Sequence, residues 1–141
     1  MTVTELFHMV SDIERVGDHA DNIAELAVSL KEDALEFSDQ AKKELQDISN
    51  IALNCFETAL KAYEFRDKNL ANQVIPLEMQ VDKLEEKLRS RHMKRLIEEK
   101  CHPLAGINFL DMISNVERIS DHASNIGLLI IDEERIMMSE E

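Results

Sequence analysis

The sequence predicts an all-α protein, an up-and-down antiparallel helical bundle of four long helices. Three observations carry this. Apolar residues recur at alternating steps of three and four over four long stretches, the period of helices packed in a bundle. Only 3 Gly and 2 Pro occur in 141 residues, too few to turn the many short strands of a sandwich or barrel. Trp is absent, aromatics make up 4% and hydrophobic residues 44%, and Glu, Leu, Lys and Ala abound, a helix-forming composition.

The first helix is expected over about 3–32. Thr2-Val3-Thr4-Glu5 is a capping box, in which Thr2 accepts from the Glu5 amide and Glu5 returns the bond. Its seam runs Leu6, Met9, Ile13, Val16, Ala20, Ile23, Ala27 and Leu30. Ser38 caps the second helix, about 39–66, whose seam of Ala41, Leu45, Ile48, Ala52, Cys55, Ala59 and Ala62 is small enough for close approach. Asp67 caps the third, about 68–101, with seam residues Leu70, Val74, Leu77, Val81, Leu84 and Leu88. Pro76 predicts a kink or a later start there, and Cys101-His102-Pro103 with Gly106 forms the next connection. The fourth helix, about 106–134, carries Phe109, Met112, Val116, Ile119, Ala123, Ile126 and Ile130. An acidic, fraying tail over 135–141 completes one domain spanning 1–141. Short connections make sequential neighbours antiparallel.

Charge narrows the function. Sixteen basic against 29 acidic residues give a net charge of −13, which repels phosphate backbones and anionic lipid and suits cations or basic partner surfaces. No nucleic-acid partner is expected. The longest apolar run, Ile126 to Ile131, is far short of the ~20 residues of a membrane span, and Glu5 stands where a signal peptide would be basic. Direct membrane insertion is therefore not expected. Cys55 and Cys101 form no recognisable spacing and read as free thiols of a cytosolic chain.

The informative feature is a repeat. MVSDIERVGDHADNIAEL (9–26) aligns without gaps to MISNVERISDHASNIGLL (112–129), with 10 identities in 18 positions. Shared apolar positions follow from any bundle. The shared polar pairs Glu14/Glu117, Arg15/Arg118, Asp18/Asp121, His19/His122 and Asn22/Asn125 need another reason, since a solvated face accepts almost anything. At about 100° per residue Glu14 and Asp18 share one stripe, which Asp21 and Glu25 extend. Like charges at this spacing cost an isolated helix roughly 0.2–0.5 kcal/mol per pair, and a bound cation would reverse that sign. Carboxylates are hard oxygen ligands for Mg, Ca, Mn and, with imidazole, Fe. The stripe lies nearly opposite the seam, so a metal would sit on the outer surface and not in the bundle core. Glu78 and Asp82 repeat the Glu-x-x-x-Asp spacing on the third helix, placed to face Glu117 and Asp121 on the antiparallel fourth. His19 and His122 lie beside the seam and read as hydrogen-bonding groups at helix–helix contacts. Gly17 with Ala24, and Ser120 with Gly127, form strips that permit close approach. Met137, Met138, Cys101 and His102 read as structural. No nucleophile stands beside a base and no Gly-rich phosphate loop is present, so no enzymatic activity is expected.

ERVGDHADNIAE and ERISDHASNIG resemble the paired signature helices of PhoU-like proteins, regulators of bacterial phosphate uptake. Leu88 to Ile126, LRSRHMKRLIEEKCHPLAGINFLDMISNVERISDHASNI, is similar to the cytosolic PhoU-like domain that follows the membrane part of bacterial sodium/phosphate cotransporters. The resemblance covers nearly the whole chain. It implies helical bundles related by duplication, and clusters of iron or other divalent metals held on the bundle surface by Glu/Asp-x-x-x-Asp motifs. Carried over, the metal residues are Glu14 and Asp18, Glu117 and Asp121, and Glu78 and Asp82. PhoU-like proteins resemble two three-helix bundles with a signature on the last helix of each. This chain starts at the first signature helix, so a piece of a longer transporter chain is expected. The first helix then completes a four-helix bundle or packs against a second chain.

The function this implies is a non-catalytic regulator of phosphate transport at the inner face of the cell membrane. Its partners would be a membrane transporter domain, of the same or another chain, and a second copy in a homodimer. The alternative is a metal-free helical module that dimerises or docks.

Overall fold

The computed structural model describes the backbone of residues 2–140 and the side chains of residues 2–132. Four helices and no strand occur among them: α1 (Val3–Glu32), α2 (Asp39–Phe65), α3 (Lys68–Ile97) and α4 (Pro103–Glu140). The N-terminal caps follow from the sequence. Thr2 and Glu5 close a capping box at 3.1 and 2.7 Å, Ser38 accepts from the Ala41 amide, and Asp67 accepts from the Leu70 amide.

The C-terminal ends of α1, α2 and α3 share one way of stopping. Glycine is absent there, and Ala34, Arg66 and Glu99 take the left-handed conformation instead, with φ of 55°, 51° and 55°. Each closes a double reverse hydrogen bond, as in Lys100 N–H to Arg95 C=O with Glu99 N–H to Leu96 C=O. This turn stops α3 at Ile97, short of 101. Pro76 lies inside α3 without delaying its start at Lys68. Helix α4 begins at Pro103, where proline suits the first turn, so Gly106 lies within it and not in the connection. There the missing side chain makes room for Leu96, whose Cδ2 would stand 2.4 Å from a Cβ on Gly106. At the far end the backbone stays helical to Glu140 where a frayed tail was expected from 135. Glu141 and the side chains of the tail, Met137 and Met138 included, lie outside the described residues.

Helices α2, α3 and α4 all touch one another, whereas α1 touches α4 alone. The core is built on the small seam of α2. Ile48, Ala52, Cys55, Ala59 and Ala62 are buried against Val74, Val81 and Leu88 of α3 and Phe109, Ile113 and Ile126 of α4. Gly127 lets α4 approach α3 closely, since a Cβ there would meet the Ala71 carbonyl oxygen at 3.3 Å. At one end His92 stacks on Phe109 with ring centroids 4.3 Å apart. Burial, then the Arg95 guanidinium, push its pKa down, with Glu44 opposing. Arg95, itself paired with Glu44, donates to His92 Nδ1. The other ring nitrogen therefore carries the proton and faces Cys101 Sγ at 3.9 Å.

The repeat explains how α1 seats on α4. The two helices run antiparallel, and the duplicated residues meet across a local pseudo-two-fold axis. His19 and His122, equivalent in the repeat, stack at 5.5 Å. Asn115 Oδ1 accepts from His19 Nδ1 at 3.0 Å and Asn22 Nδ2 at 3.2 Å. Asp12 Oδ1 accepts from His122 Nδ1 at 3.0 Å and Asn125 Nδ2 at 3.2 Å. Amide and carboxylate oxygens only accept, so both imidazoles hold their proton on Nδ1. The histidine and asparagine pairs of the repeat are thus one hydrogen-bonded motif used twice. Asp12 and Asn115 stand at matching positions of the repeat, but their identities differ, and counting identities passes over them.

Two outcomes follow from this packing. Asn115→Ala strands two donors and should cost about 1–2 kcal/mol; amide exchange in α1 should accelerate while α2 stays protected. Ala34→Gly and Glu99→Gly relieve left-handed strain and should each add about 0.5–1 kcal/mol in urea unfolding.

Candidate metal centre at the α3–α4 seam

Helices α3 and α4 are antiparallel, so two Glu-x-x-x-Asp motifs, each spanning one turn, come to lie side by side. Glu78, Asp82 and Asp121 each place a carboxylate oxygen within 4.8 Å of the others, and all three are half-buried. Glu117, also half-buried, reaches Asp82 with its own carboxyl. Burial is the leading cause that pushes the Glu78 carboxyl up to about 8, followed by hydrogen bonding to Asp82 and Asp121 and by their charge. Burial likewise raises Glu117 to about 7, with Asp121, Glu85 and Asp82 adding to it. Asp121 is raised mainly by burial, with the hydrogen bond from Glu78 and the charges of His122 and Arg118 pulling the other way. A proton on Glu78 shared with Asp82 and Asp121 accounts for both sets of shifts.

Two further groups belong to this neighbourhood. Glu85, one turn beyond Asp82, is buried and paired with Arg89 at 2.6 Å. The spacing Glu78-x-x-x-Asp82-x-x-Glu85 puts it on the same stripe of α3. Cys55 on α2 is fully buried and donates to the Val74 carbonyl oxygen at 3.7 Å. Burial pushes its thiol up to about 12, and the negative charge of Glu78, Asp121 and Asp82 adds to the rise. The thiol is thus protonated at neutral pH with no cation beside it.

The donor set suits a hard cation. Every candidate ligand is a carboxylate, and Asp82 keeps one oxygen, Oδ1, buried without a hydrogen-bond partner, an orphaned acceptor of the kind that calls for an explanation. Glu14 and Asp18, by contrast, are exposed. Because α1 meets only α4, no second pair of carboxylates faces them among the described residues. The sequence repeat thus has one motif matched by an opposing helix and one left open.

This fold and centre define a helical scaffold with an acidic seam, and the comparisons with known proteins place it. The model of the PhoU domain matches residues 1–27 and 45–130, and the chain belongs to the PhoU family. It is 30% identical over 116 residues to the phosphate-specific transport system accessory protein PhoU homolog 1 of Thermotoga maritima, covering 82% of this chain and 49% of that protein. It is 31% identical over 123 residues to the PhoU homolog of Pseudomonas aeruginosa, covering 86% and 50%. It is also 24% identical over 124 residues to that of Streptococcus pneumoniae, covering 88% and 56%. The chain therefore spans about half the length of these relatives. No solved structure matches it significantly. The family is one of regulatory accessory proteins and not of enzymes, and no helix among the described residues is long and apolar enough to cross a membrane.

The raised carboxyls set a pH dependence. Glu78 and Glu117 bind protons more tightly folded than unfolded, so stability is present at low pH and lost as pH rises from 4.5 towards about 8. The melting temperature of chelator-treated protein should fall across that window, and Glu78→Gln should flatten the fall.

Proposed function

We propose that this chain is a non-catalytic regulatory domain of phosphate transport that binds a divalent metal at the α3–α4 seam. In this reading it works in the cytoplasm, at the inner face of the cell membrane, as a homodimer docked on a transporter domain. The resemblance to the domain that follows the membrane part of sodium/phosphate cotransporters points to the kind of transporter. The observation that carries the metal reading is the meeting of Glu78, Asp82 and Asp121 within 4.8 Å, on motifs from two different helices. The names of the relatives, accessory proteins of a phosphate-specific transport system, support the transport role.

Glu78, Asp82, Glu117 and Asp121 would hold the ion, iron or another divalent metal. A bound cation supplies positive charge that offsets the mutual repulsion of these carboxylates. The chain's own contribution is positional. The seam fixes where α3 sits against α4, and α4 carries α1, so occupancy of the seam is coupled mechanically to the outer face of the protein. A second ion at Glu14 and Asp18 requires carboxylates from a further helix.

Elemental analysis of protein purified without added metal or chelator tests the reading. At least about one Fe, Mn, Zn or Mg per chain is expected, lost in the Glu117→Ala/Asp121→Ala variant. In the loaded protein that variant should lower the melting temperature. After chelation it should leave it unchanged or raise it slightly, because it removes clustered like charge. Metal well below one per chain, unaffected by the variant, would leave a metal-free helical docking module.

A further inference from the structure

At the turn between α3 and α4 the chain places a thiol beside a buried imidazole. Cys101 is free and half-buried, and His92, only 3% exposed, points a ring nitrogen at its sulfur from 3.9 Å. The ring is held in place. One face stacks on Phe109 at 4.3 Å, and Nδ1 accepts from Arg95, which Glu44 holds in turn. Burial and the Arg95 charge disfavour a protonated ring, so His92 is neutral with its proton on Nε2. Among the described residues the Cys101 sulfur is the one acceptor that this N–H reaches. Sulfur is a weak acceptor as a thiol and a much stronger one as a thiolate. Beside the pair lies a cavity of about 300 Å³, lined by Glu36 and Phe37 before α2, by Lys100, Cys101 and His102, and by His92 itself. That is the small end of the range of ligand sites. Phe37 meets Phe109 edge-on at 5.6 Å, which anchors the cavity wall in the core.

We propose that Cys101 is a modification site, forming a mixed disulfide with a small zwitterionic thiol peptide of the glutathione class seated in this cavity. The step is a thiol–disulfide exchange. Cys101, as the thiolate, attacks one sulfur of the peptide disulfide, and the new S–S bond forms as the old one breaks. The other half leaves as a thiolate and takes up the proton that Cys101 gave to solvent. Cys101 is oxidised and the leaving half reduced, so the disulfide is the only oxidant the step needs. Negative charge spreads over three sulfur atoms at the midpoint, and the Nε2–H of His92 donates to the attacking one. Because the ring is fixed from its other side, that donor is in place before the disulfide arrives. The cavity lining carries both signs, Lys100 for a carboxylate and Glu36 for an ammonium, the two charged ends such a peptide presents. Lys100 is paired with Glu98 at 2.9 Å on the surface, a contact that costs little to exchange. Cys55, fully buried, is out of reach of the same reagent.

Incubation of the full chain with glutathione disulfide at neutral pH, with adducts mapped by peptide mass spectrometry, tests the site. The same chain unfolded in urea supplies the rate of an unassisted cysteine. Half-burial alone would slow Cys101. It should instead be modified at least about tenfold faster folded than unfolded, the scale of one hydrogen bond to a charged group, while Cys55 stays unmodified until the chain unfolds. His92→Leu should lose that acceleration. His92→Gln, which keeps an N–H within reach of the sulfur, should retain most of it. Should the leucine variant fold poorly, the comparison of folded with unfolded wild type stands by itself. Bis(hydroxyethyl) disulfide, which is uncharged, should gain less from the fold than glutathione disulfide, and Lys100→Ala should narrow the difference. Cys101 reacting no faster folded than unfolded overturns the site. Full speed in a folded His92→Leu variant overturns the role of the imidazole, and equal gains for the two disulfides overturn the cavity as the seat of the peptide.

Discussion

Helix α4 has to satisfy two apolar faces at once, and the rest of the molecule depends on it. One face closes the core with α2 and α3, and the other receives α1. Both contacts use the same stretch of sequence, the duplicated motif, which therefore carries three demands. It needs small residues where α3 comes close, imidazole and amide groups where α1 seats, and carboxylates at the edge between α4 and α3. Few residues satisfy a buried helix–helix hydrogen bond and a flanking helix at the same time, which is why identity in the repeat is concentrated in polar residues.

The carboxylate seam follows from that geometry. Two Glu-x-x-x-Asp motifs on antiparallel helices cannot avoid each other once Gly127 has let α4 settle against α3. Half-burial penalises the charged carboxylates first, and hydrogen bonds among them and their mutual charge add to it, which holds protons on Glu78 and Glu117 near neutral pH. Glu85, one turn beyond Asp82, pairs instead with Arg89. The seam is thus strained electrostatically without a cation, and a cation or protons relieve it. Under the proposed function, protons and a metal ion would compete for the same carboxylates, which would couple metal affinity to pH.

Much of this was legible in the sequence. The four helices, their N-terminal caps, the seam of α2 and the placing of Glu78 and Asp82 opposite Glu117 and Asp121 all follow from period, cap chemistry and antiparallel order. The His19/His122 contacts follow from their place beside the seam. The end of α3 at Ile97 did not, because Glu99 there adopts a conformation for which glycine is the usual marker. Nor did the exposure of the α1 seam. Leu6, Ile13 and Ala20 have the spacing of core residues, and spacing reports that a face is apolar without reporting what covers it. Asp12, Asn115, Glu85 and Cys55 act through neighbours distant in the chain, and local pattern holds no record of those.

The most direct measurement is anomalous diffraction from crystals of the full chain equilibrated with Mn²⁺ and collected at the manganese absorption edge. The account predicts an anomalous peak between α3 and α4, bounded by the carboxylates of Glu78, Asp82, Glu117 and Asp121. A map with no peak at that seam, from crystals in which the four side chains are well ordered, would contradict it.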